Sequence, residues 1–509
     1  MSQTLNVHVR VNDAASGRPT AVRIRIAGTD GRYYPPLGHA VDFPVGRNED
    51  VGGHVYLKRE ECGTTLRVAI HDAERRATLT SGQHQAYIDG SCEIPLPTGV
   101  PLEVEISKGP AYTPIREQVT LGAGQLTLRF VIARWTGATW NGMVAVDSRC
   151  HFLSPHAAKL EAEAEGLDFV NLLATVQDYP SPDGHMYRTT PNLFAFSGQA
   201  PSIERVYVNT FHEHPALGRL ALLNCHRPVF PLTFGNMDET DDWSLADWCD
   251  QCHRKKGLVV WCDAYRQEAG LPGGEALIDA ILGKIDAIEL DAHVRPTSFL
   301  PLWYRLLNAG IRLPVVGGSG KDSNRIALGG VRTLTPAGET RSYAEWIETV
   351  RAGRTIATNE PLLRWAINGQ PYATSVTSTN DQPVRFSAEI ASSEPIERFE
   401  IIANGLVIAT SSSDLIEVEH QLPEGGWLAA RCWSTAKSRL YPHVPIFAHT
   451  SPIWVNSPRR QTSAVTSLLR EIEGVRQWID TTGRFTIEKR KEQLLALCEA
   501  ADRKLNTSP

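Results

Sequence analysis

The chain has 509 residues, of which 21% are charged and 42% hydrophobic, with a formal net charge of -6. That length exceeds what one hydrophobic core serves, so about three or four units are expected. The composition excludes a disordered or fibrous chain, and the mild negative charge gives no basis for a nucleic-acid or acidic-membrane partner.

The opening "MSQTLNVHVRVNDAAS" alternates apolar and polar residues without a basic region followed by a continuous apolar core, so no signal peptide is predicted. No apolar run approaches a membrane span. Nine cysteines, an odd number scattered among elements, suit a reducing compartment better than a disulfide framework. A cytoplasmic protein is the expectation.

Residues 1–138 alternate with period two in "LNVHVRV", "AVRIRIAG", "PLEVEIS" and "LTLRFVIA", punctuated by Gly, Pro and Asn-Asp. This predicts an N-terminal β-sandwich, with "TDGRYYPPLGHAVDFPVGRNED" as a surface loop. Over residues 139–360 apolar strand-like runs alternate with amphipathic helical segments: "MVAVDSRCHF", "HAAKLEAEAEGL", "DFVNLLAT", "ERVYVNTFHEH", "GRLALLNC", "LVVWCDAY", "DAIELDAH" and "LPVVGGSG". Strands apolar on both faces and separated by helices predict an α/β unit with a largely parallel sheet, closed into a (β/α) barrel or left as an open doubly wound sheet. Alternation returns over residues 361–456, in "PVRFSAEIA", "RFEIIANGLVIAT" and "LIEVEHQL", which predicts a smaller C-terminal β-sandwich with "ANG" as a turn. Residues 457–509 carry apolar residues at helical spacing and predict a helical hairpin.

"CDQCH", Cys249 to His253, has the spacing of a haem attachment or half a zinc site. It falls inside the helical segment "DWSLADWCDQCHRKKG" with no second such pair after it, so it is read as a helix surface with chance spacing.

Polar residues gather at the C-terminal ends of the predicted barrel strands: Asp147, Arg149 and His151; Asp178; His212, Glu213 and His214; Asp263; Glu289, Asp291 and His293; Asp322. In barrels this end is where sites are built. Clustered His, Asp and Glu are also what a divalent metal requires. Glu289, Asp291 and His293 alternate and so share one side of a strand. Lys321, in "GSGKDSN", lies in a glycine-rich segment whose spacing matches no phosphate loop.

In order along the chain, "VDSRCHFLSPHAAKLEAEAEGLDFVNLLA", "LVVWCDAY", "LLNAGIRLPVVGGSGKDSNRIALGGVRTL" and, most specifically, "RAGRTIATNEPLL" resemble the carbaryl-hydrolase-like (CehA/McbA) branch of the PHP metallohydrolase superfamily. The resemblance implies a distorted (β/α) barrel between two β-sandwiches, two or three divalent metals, and hydrolysis of ester, carbamate or phosphoester bonds. The chain departs from that pattern at ligand positions. Where such proteins carry His-x-His it has Arg149-Cys150-His151, and where they carry an Asp-His pair it offers Asp178 alone. The position of a Glu and a following His is filled by "FHEHPALGR", with Glu213 or a neighbouring histidine as substitute and Arg219 at the histidine's place. A His-Pro becomes Cys262-Asp263, and Gly-Ser-Asp-x-His becomes "GSGKD" with Asp322.

A guanidinium has no lone pair to donate and keeps its charge, so Arg149 and Arg219 exclude a cation where they stand and are expected to hold carboxylates instead. Two readings follow. The first is a hydrolase with a reduced metal site, in which His151, Asp263, Asp322 and His293 are the candidate ligands for Zn, Mn or Fe and Arg149, Arg219 and Glu213 the candidate catalytic groups. The second is a metal-free, catalytically inactive barrel that binds an anion or serves as a scaffold. Both take a small-molecule partner, anionic in character, and leave a homo-oligomer open.

Overall fold

The computed structural model describes residues 3–42, 67–68, 85–135, 140–151, 153–176, 178–180, 186–188, 193–235, 239–264, 273–291, 299–321, 326–378, 382–441, 445–456 and 460–507. Its N-terminal part is two antiparallel-rich sheets. One is ordered Ser91–Pro97, Thr4–Asp13, Thr127–Ile132; the other is Ala86–Asp89, Ala21–Gly28, Pro101–Ser107, Ile115–Thr120. The inward positions of the alternating runs, Val7, Val9 and Val11 on one side and Val22, Ile24 and Ile26 on the other, meet in one core. The stretch expected as a surface loop is described only to residue 42, where Ala40–Asp42 pairs with Arg67–Val68; the rest of it lies outside the described residues.

The central part is built on nine strands: β1 (Met143–Cys150), β2 (Phe169–Ala174), β3 (Val206–His214), β4 (Gly218–Leu223), β5 (Leu258–Cys262), β6 (Ala287–Asp291), β7 (Val315–Gly318), β8 (Arg332–Pro336) and β9 (Ile356–Thr358). Strands β1 to β7 are hydrogen-bonded in chain order. All but one run parallel to their neighbours; β4 turns back on β3 as a hairpin and is antiparallel to both β3 and β5. The end of the series returns to its start, because Gly320 N–H donates to Arg149 O at 2.9 Å and His151 N–H to Lys321 O at 2.7 Å. Residues from each of β1 to β7, among them Val146, Leu173, Phe211, Ala221, Val260, Ala287 and Val316, join a single buried cluster with Tyr343 and Trp346. The outward residues Leu220, Leu222, Val259 and Trp261 pack under Trp248, Leu277 and Trp303 of the covering helices.

Those helices are α1 (Pro155–Glu165), α2 (Leu245–Arg254), α3 (Gly274–Leu282), α4 (Leu300–Asn308) and α5 (Tyr343–Arg351). Helix α1 starts at Ser154, whose side chain accepts from Ala157 N–H, with Pro155 in the first turn, and it stops at Gly166 in the left-handed region (φ 67°). On α2 the residues Leu245, Trp248, Cys249 and Cys252 form one stripe, and both cysteines are fully buried. The reading of "CDQCH" as a helix surface is thus corrected: the polar residues between the cysteines face outward while the thiols pack in the core, with Cys252 Sγ 3.4 Å from Cys225 Sγ.

The hydrogen-bonded path does not stop at the expected boundary near residue 360. It runs from β1 through β8 and β9 into Pro445–Thr450, Gly426–Lys437, Arg398–Ala403 and Leu406–Ser411. A second sheet of Gln370–Pro371, Leu362–Ile367, Val384–Ala391 and Leu415–His420 faces this extension across a shared core that includes Trp365, Phe386, Phe399 and Leu428. The "ANG" turn is present, with Asn404 (φ 49°) and Gly405 (φ 86°) both in the left-handed region that a two-residue hairpin of this hand requires. The chain ends in the expected hairpin, α6 (Thr462–Thr481) and α7 (Glu488–Thr507), whose Leu468, Ile472, Val475, Leu494, Cys498 and Ala501 share the core of α2 to α4. Among the described residues no helix is long and apolar enough to cross a membrane.

The three parts are pinned by one carboxylate. Glu165, at the end of α1 and fully buried, lies 2.7 Å from Arg23 Nε of the N-terminal part. It also accepts from Tyr87 OH at 3.1 Å and from Tyr441 OH of the C-terminal part at 2.9 Å. Its backbone oxygen takes a second cation, Arg332 Nη1, at 2.9 Å. Removing one member of a buried charged pair strands the other, at a cost of about 3–5 kcal/mol. Glu165→Ala is therefore expected to lower the unfolding free energy by about that amount in urea denaturation, and a loss below about 1 kcal/mol would show the junction is not bearing load.

Candidate functional site

Strand parity decides what faces inward at the C-terminal ends of β1 to β7. On β6, Glu289 is in phase with the inward Ala287; on β4, Arg219 is in phase with Ala221; on β3, Glu213 is in phase with Phe211. Glu213 and Arg219 are direct cross-strand partners in the β3–β4 hairpin, and Arg219 is in turn opposite Cys262 of β5. Arg149 enters from β1, where the register shifts between Asp147 and Cys150.

These side chains make a chain of ion pairs. Arg149 donates through Nε to Glu289 Oε1 at 2.9 Å and through Nη2 to Asp263 Oδ1 at 3.0 Å. Arg219 donates through Nη2 to Glu213 Oε1 at 3.0 Å, and its Nε is 3.7 Å from Asp263 Oδ2. The Cys262 thiol donates to the other oxygen of Glu289 at 3.1 Å; burial pushes this thiol well above its ordinary range, with Glu289 adding to the effect. Arg149, Arg219, Asp263 and Glu289 are all buried, whereas the Glu213 side chain keeps 22% of its surface. Two backbone features make room for the network. Asp263 sits at φ 53°, a left-handed conformation uncommon outside glycine. At Gly318 a Cβ would come within 2.9 Å of Glu289 Cδ and 3.1 Å of Arg149 Cβ.

His151 is buried beside the network. Its Nδ1 is 3.3 Å from Leu173 O, and its ring meets Phe211 edge-on at 5.1 Å, the same ring that Arg149 overlies at 5.5 Å. Asp322 and His293, expected as ligands, lie outside the described residues, as do the side chains of Asp178 and Asp291.

Other strand-end residues point elsewhere. Asp147 is a backbone staple: its carboxylate accepts from the N–H groups of Arg149, Ser319 and Gly329 at 3.1, 2.9 and 2.8 Å. Burial raises its pKa in spite of these bonds. His212 and His214 have the opposite parity to Glu213 and face outward, so neither neighbouring histidine joins the ion-pair network. His212 packs on Trp248 and bonds to Thr210 Oγ1 and Pro231 O. His214 accepts at Nδ1 from the N–H groups of Ala216 and Leu217, which leaves its proton on Nε2 for Asp241 Oδ1 at 2.9 Å. Asp241 also binds the backbone of Arg484 between α6 and α7, so this histidine fastens the helical hairpin. The sequence carried no signal for that pairing, since Asp241 lies in a loop with no periodicity.

The described donors Asp263 and Glu289 do not fit a divalent cation between them. Asp263 and Glu289 are bridged by one guanidinium, and an ion held by both would lie against a fixed positive charge in a low-dielectric interior. Among the described residues no group of three or more His, Cys, Asp or Glu side chains is placed to hold a metal. No family model matches the chain, and no curated protein matches it.

Two outcomes follow from this geometry. Arg149→Met leaves two buried carboxylates without their cation and is expected to destabilise the protein by about 3–5 kcal/mol, most of which returns when Asp263→Asn and Glu289→Gln are added. An unchanged urea midpoint for Arg149→Met would show the pairs to be energetically idle. Separately, burial pushes the His212 imidazole down to about 3, against about 6.5 in an unfolded chain. Its contribution is complete above about pH 6.5 and is lost as pH falls toward about 3, at about 1.4 kcal/mol per pH unit. His212→Gln should flatten the fall in stability between about pH 6 and 4, and an equally steep fall would contradict the assignment.

Proposed function

We propose that this chain is a PHP-like, carbaryl-hydrolase-like barrel protein whose metal centre has been exchanged for internal ion pairs, and that it works as a metal-independent binding or scaffold protein. One observation carries the reading: Arg149 spans Asp263 and Glu289 in a buried interior, so the two carboxylates best placed for a metal already neutralise a guanidinium. The metal-assisted hydrolysis of an ester, carbamate or phosphoester that the resemblance implies uses a bound ion to lower the pKa of water or polarise the bond, and the paired residues offer no set of ligands for one among the described residues.

Anion capture at the strand ends draws no support from the same arginines. Both are committed to carboxylates, and the described network sets three carboxylates against two guanidiniums. The hydrolase reading with a single ion keeps one specific point in its favour, the partial exposure of Glu213. The described cysteines are all free, which agrees with a reducing, cytoplasmic location.

The test is metal content by elemental mass spectrometry on protein purified without chelators, run beside a panel of aryl ester, carbamate and phosphoester substrates. The expected result is far less than one ion per chain, a melting temperature that chelator and added Zn or Mn leave in place, and no turnover. Near-stoichiometric Zn, Mn or Fe with metal-dependent turnover would replace this reading by the single-ion hydrolase.

A further inference from the structure

At the opposite end of the barrel strands, where β1, β2 and β3 begin, the N-terminal part and the end of α1 enclose a cleft of about 650 Å³. Its walls carry both signs of charge, but the two signs are not equally engaged. Of the acidic residues, Glu163 is paired with Lys159, Glu165 with Arg23 and Asp168 with Arg341, which leaves Asp89 on the rim. Among the described residues, three of the cations form no ion pair with a carboxylate. Lys108 donates to two backbone oxygens, Ala21 O and Glu163 O, both at 2.8 Å. Arg205 spends one N–H on Leu167 O at 3.1 Å. Arg134 lies over the Tyr112 ring at 4.8 Å, and Lys108 sits 5.7 Å from the same ring.

Capping the end of α1 accounts for one donor of Arg205 and one of Lys108. With its two backbone acceptors Lys108 keeps one further N–H and Arg205 keeps four, while Arg134 also hydrogen-bonds Tyr112. Burial drives the Lys108 ammonium down to about 8, against the opposing pull of the Asp13, Glu163 and Glu165 carboxylates. A second observation points into the same space. Trp140 lines the cleft, is 8% exposed, and its indole N–H meets no acceptor among the described residues. A buried donor left unmet is costly unless something fills the role. Beside the cleft, Gly109, at φ 63°, lets the N-terminal backbone press against Glu165 O so closely that a Cβ there would come within 2.1 Å.

We infer that this cleft is a binding site for a small multivalent oxyanion, a phosphate ester or a polycarboxylate, held by Lys108, Arg134 and Arg205 with the Trp140 indole as a further donor. The site shares no residue with the ion-pair network at the barrel mouth and does not rest on the reading of that network.

The test is calorimetric titration of the full chain with pyrophosphate and with citrate at matched ionic strength, with Trp fluorescence as a second readout. Binding of either at about 0.1–1 mM or tighter is expected, pyrophosphate alone marking a phosphate ester and citrate alone a polycarboxylate. Arg134→Gln and Arg205→Gln should each weaken it about tenfold, as loss of a charge-assisted bond does. Both side chains are exposed, so the fold should survive, as a melting curve would verify; Arg134→Gln alone, which removes only a contact with Tyr112, keeps the test valid if the second variant does not fold. No binding of either anion, or binding that both variants leave unchanged, overturns the proposal.

Discussion

The Arg149 guanidinium between Asp263 and Glu289 sets the terms for the rest of the strand ends. A buried carboxylate needs hydrogen-bond donors or a counter-charge, and two of them close together are served by one cation that reaches both. A planar fork with fixed donors does this at the cost of one side chain, whereas a lysine ammonium would offer a point charge without the bridging geometry. The consequences spread outward from that choice. Gly318 must lack a Cβ because Glu289 and Arg149 occupy its space. Asp263 must adopt a left-handed backbone to meet Arg149 on one oxygen and approach Arg219 on the other. Cys262 fills the remaining side of Glu289 with a weak donor of the right size.

Electrostatics also organise the assembly of the three parts. Glu165 closes α1 at the point where it meets Arg23 and Tyr87 from one side and Tyr441 from the other. Four residues earlier on the same helix, Glu161 lies 3.2 Å from the fully buried Lys321, whose backbone completes the return of β7 to β1. Burial pushes Glu161 up to about 7, and Lys321 opposes the shift. The helix that follows β1 therefore carries the contacts beside the return of β7 to β1 and those that hold the neighbouring units to the central part.

Local patterning made the strands legible, because period-two alternation places Val7, Val9 and Val11 or Ala287 and Glu289 on one side whatever the tertiary context. Charge compensation made the pairing of Arg149 with carboxylates legible too, since a cation gained at a ligand position requires a partner. Parity separated Glu213 from His212 and His214 in principle, and the three were left undivided only because the strand's phase was unknown. The stripe of Leu245, Trp248, Cys249 and Cys252 follows the i, i+3, i+4, i+7 pattern of a buried helix face, so the burial of both cysteines was written in the spacing and was obscured by the motif. Pairing was another matter. The antiparallel insertion of β4 and the bond between β9 and Pro445–Thr450 join segments by hydrogen bonds whose sequence separation is set by tertiary packing. Periodicity cannot reveal them.

The two ends of the β1 to β7 strand series differ in how their charges are spent. At the C-terminal ends of the strands each arginine already has a carboxylate, so an incoming anion would have to break an existing pair and strand its partner in a low-dielectric interior. At the N-terminal ends the acids are the ones already engaged, while Lys108, Arg134 and Arg205 touch only neutral oxygens or an aromatic face. A ligand arriving there displaces water and no ion pair. The resemblance directs attention to the first end, but the cations that form no ion pair among the described residues lie at the second.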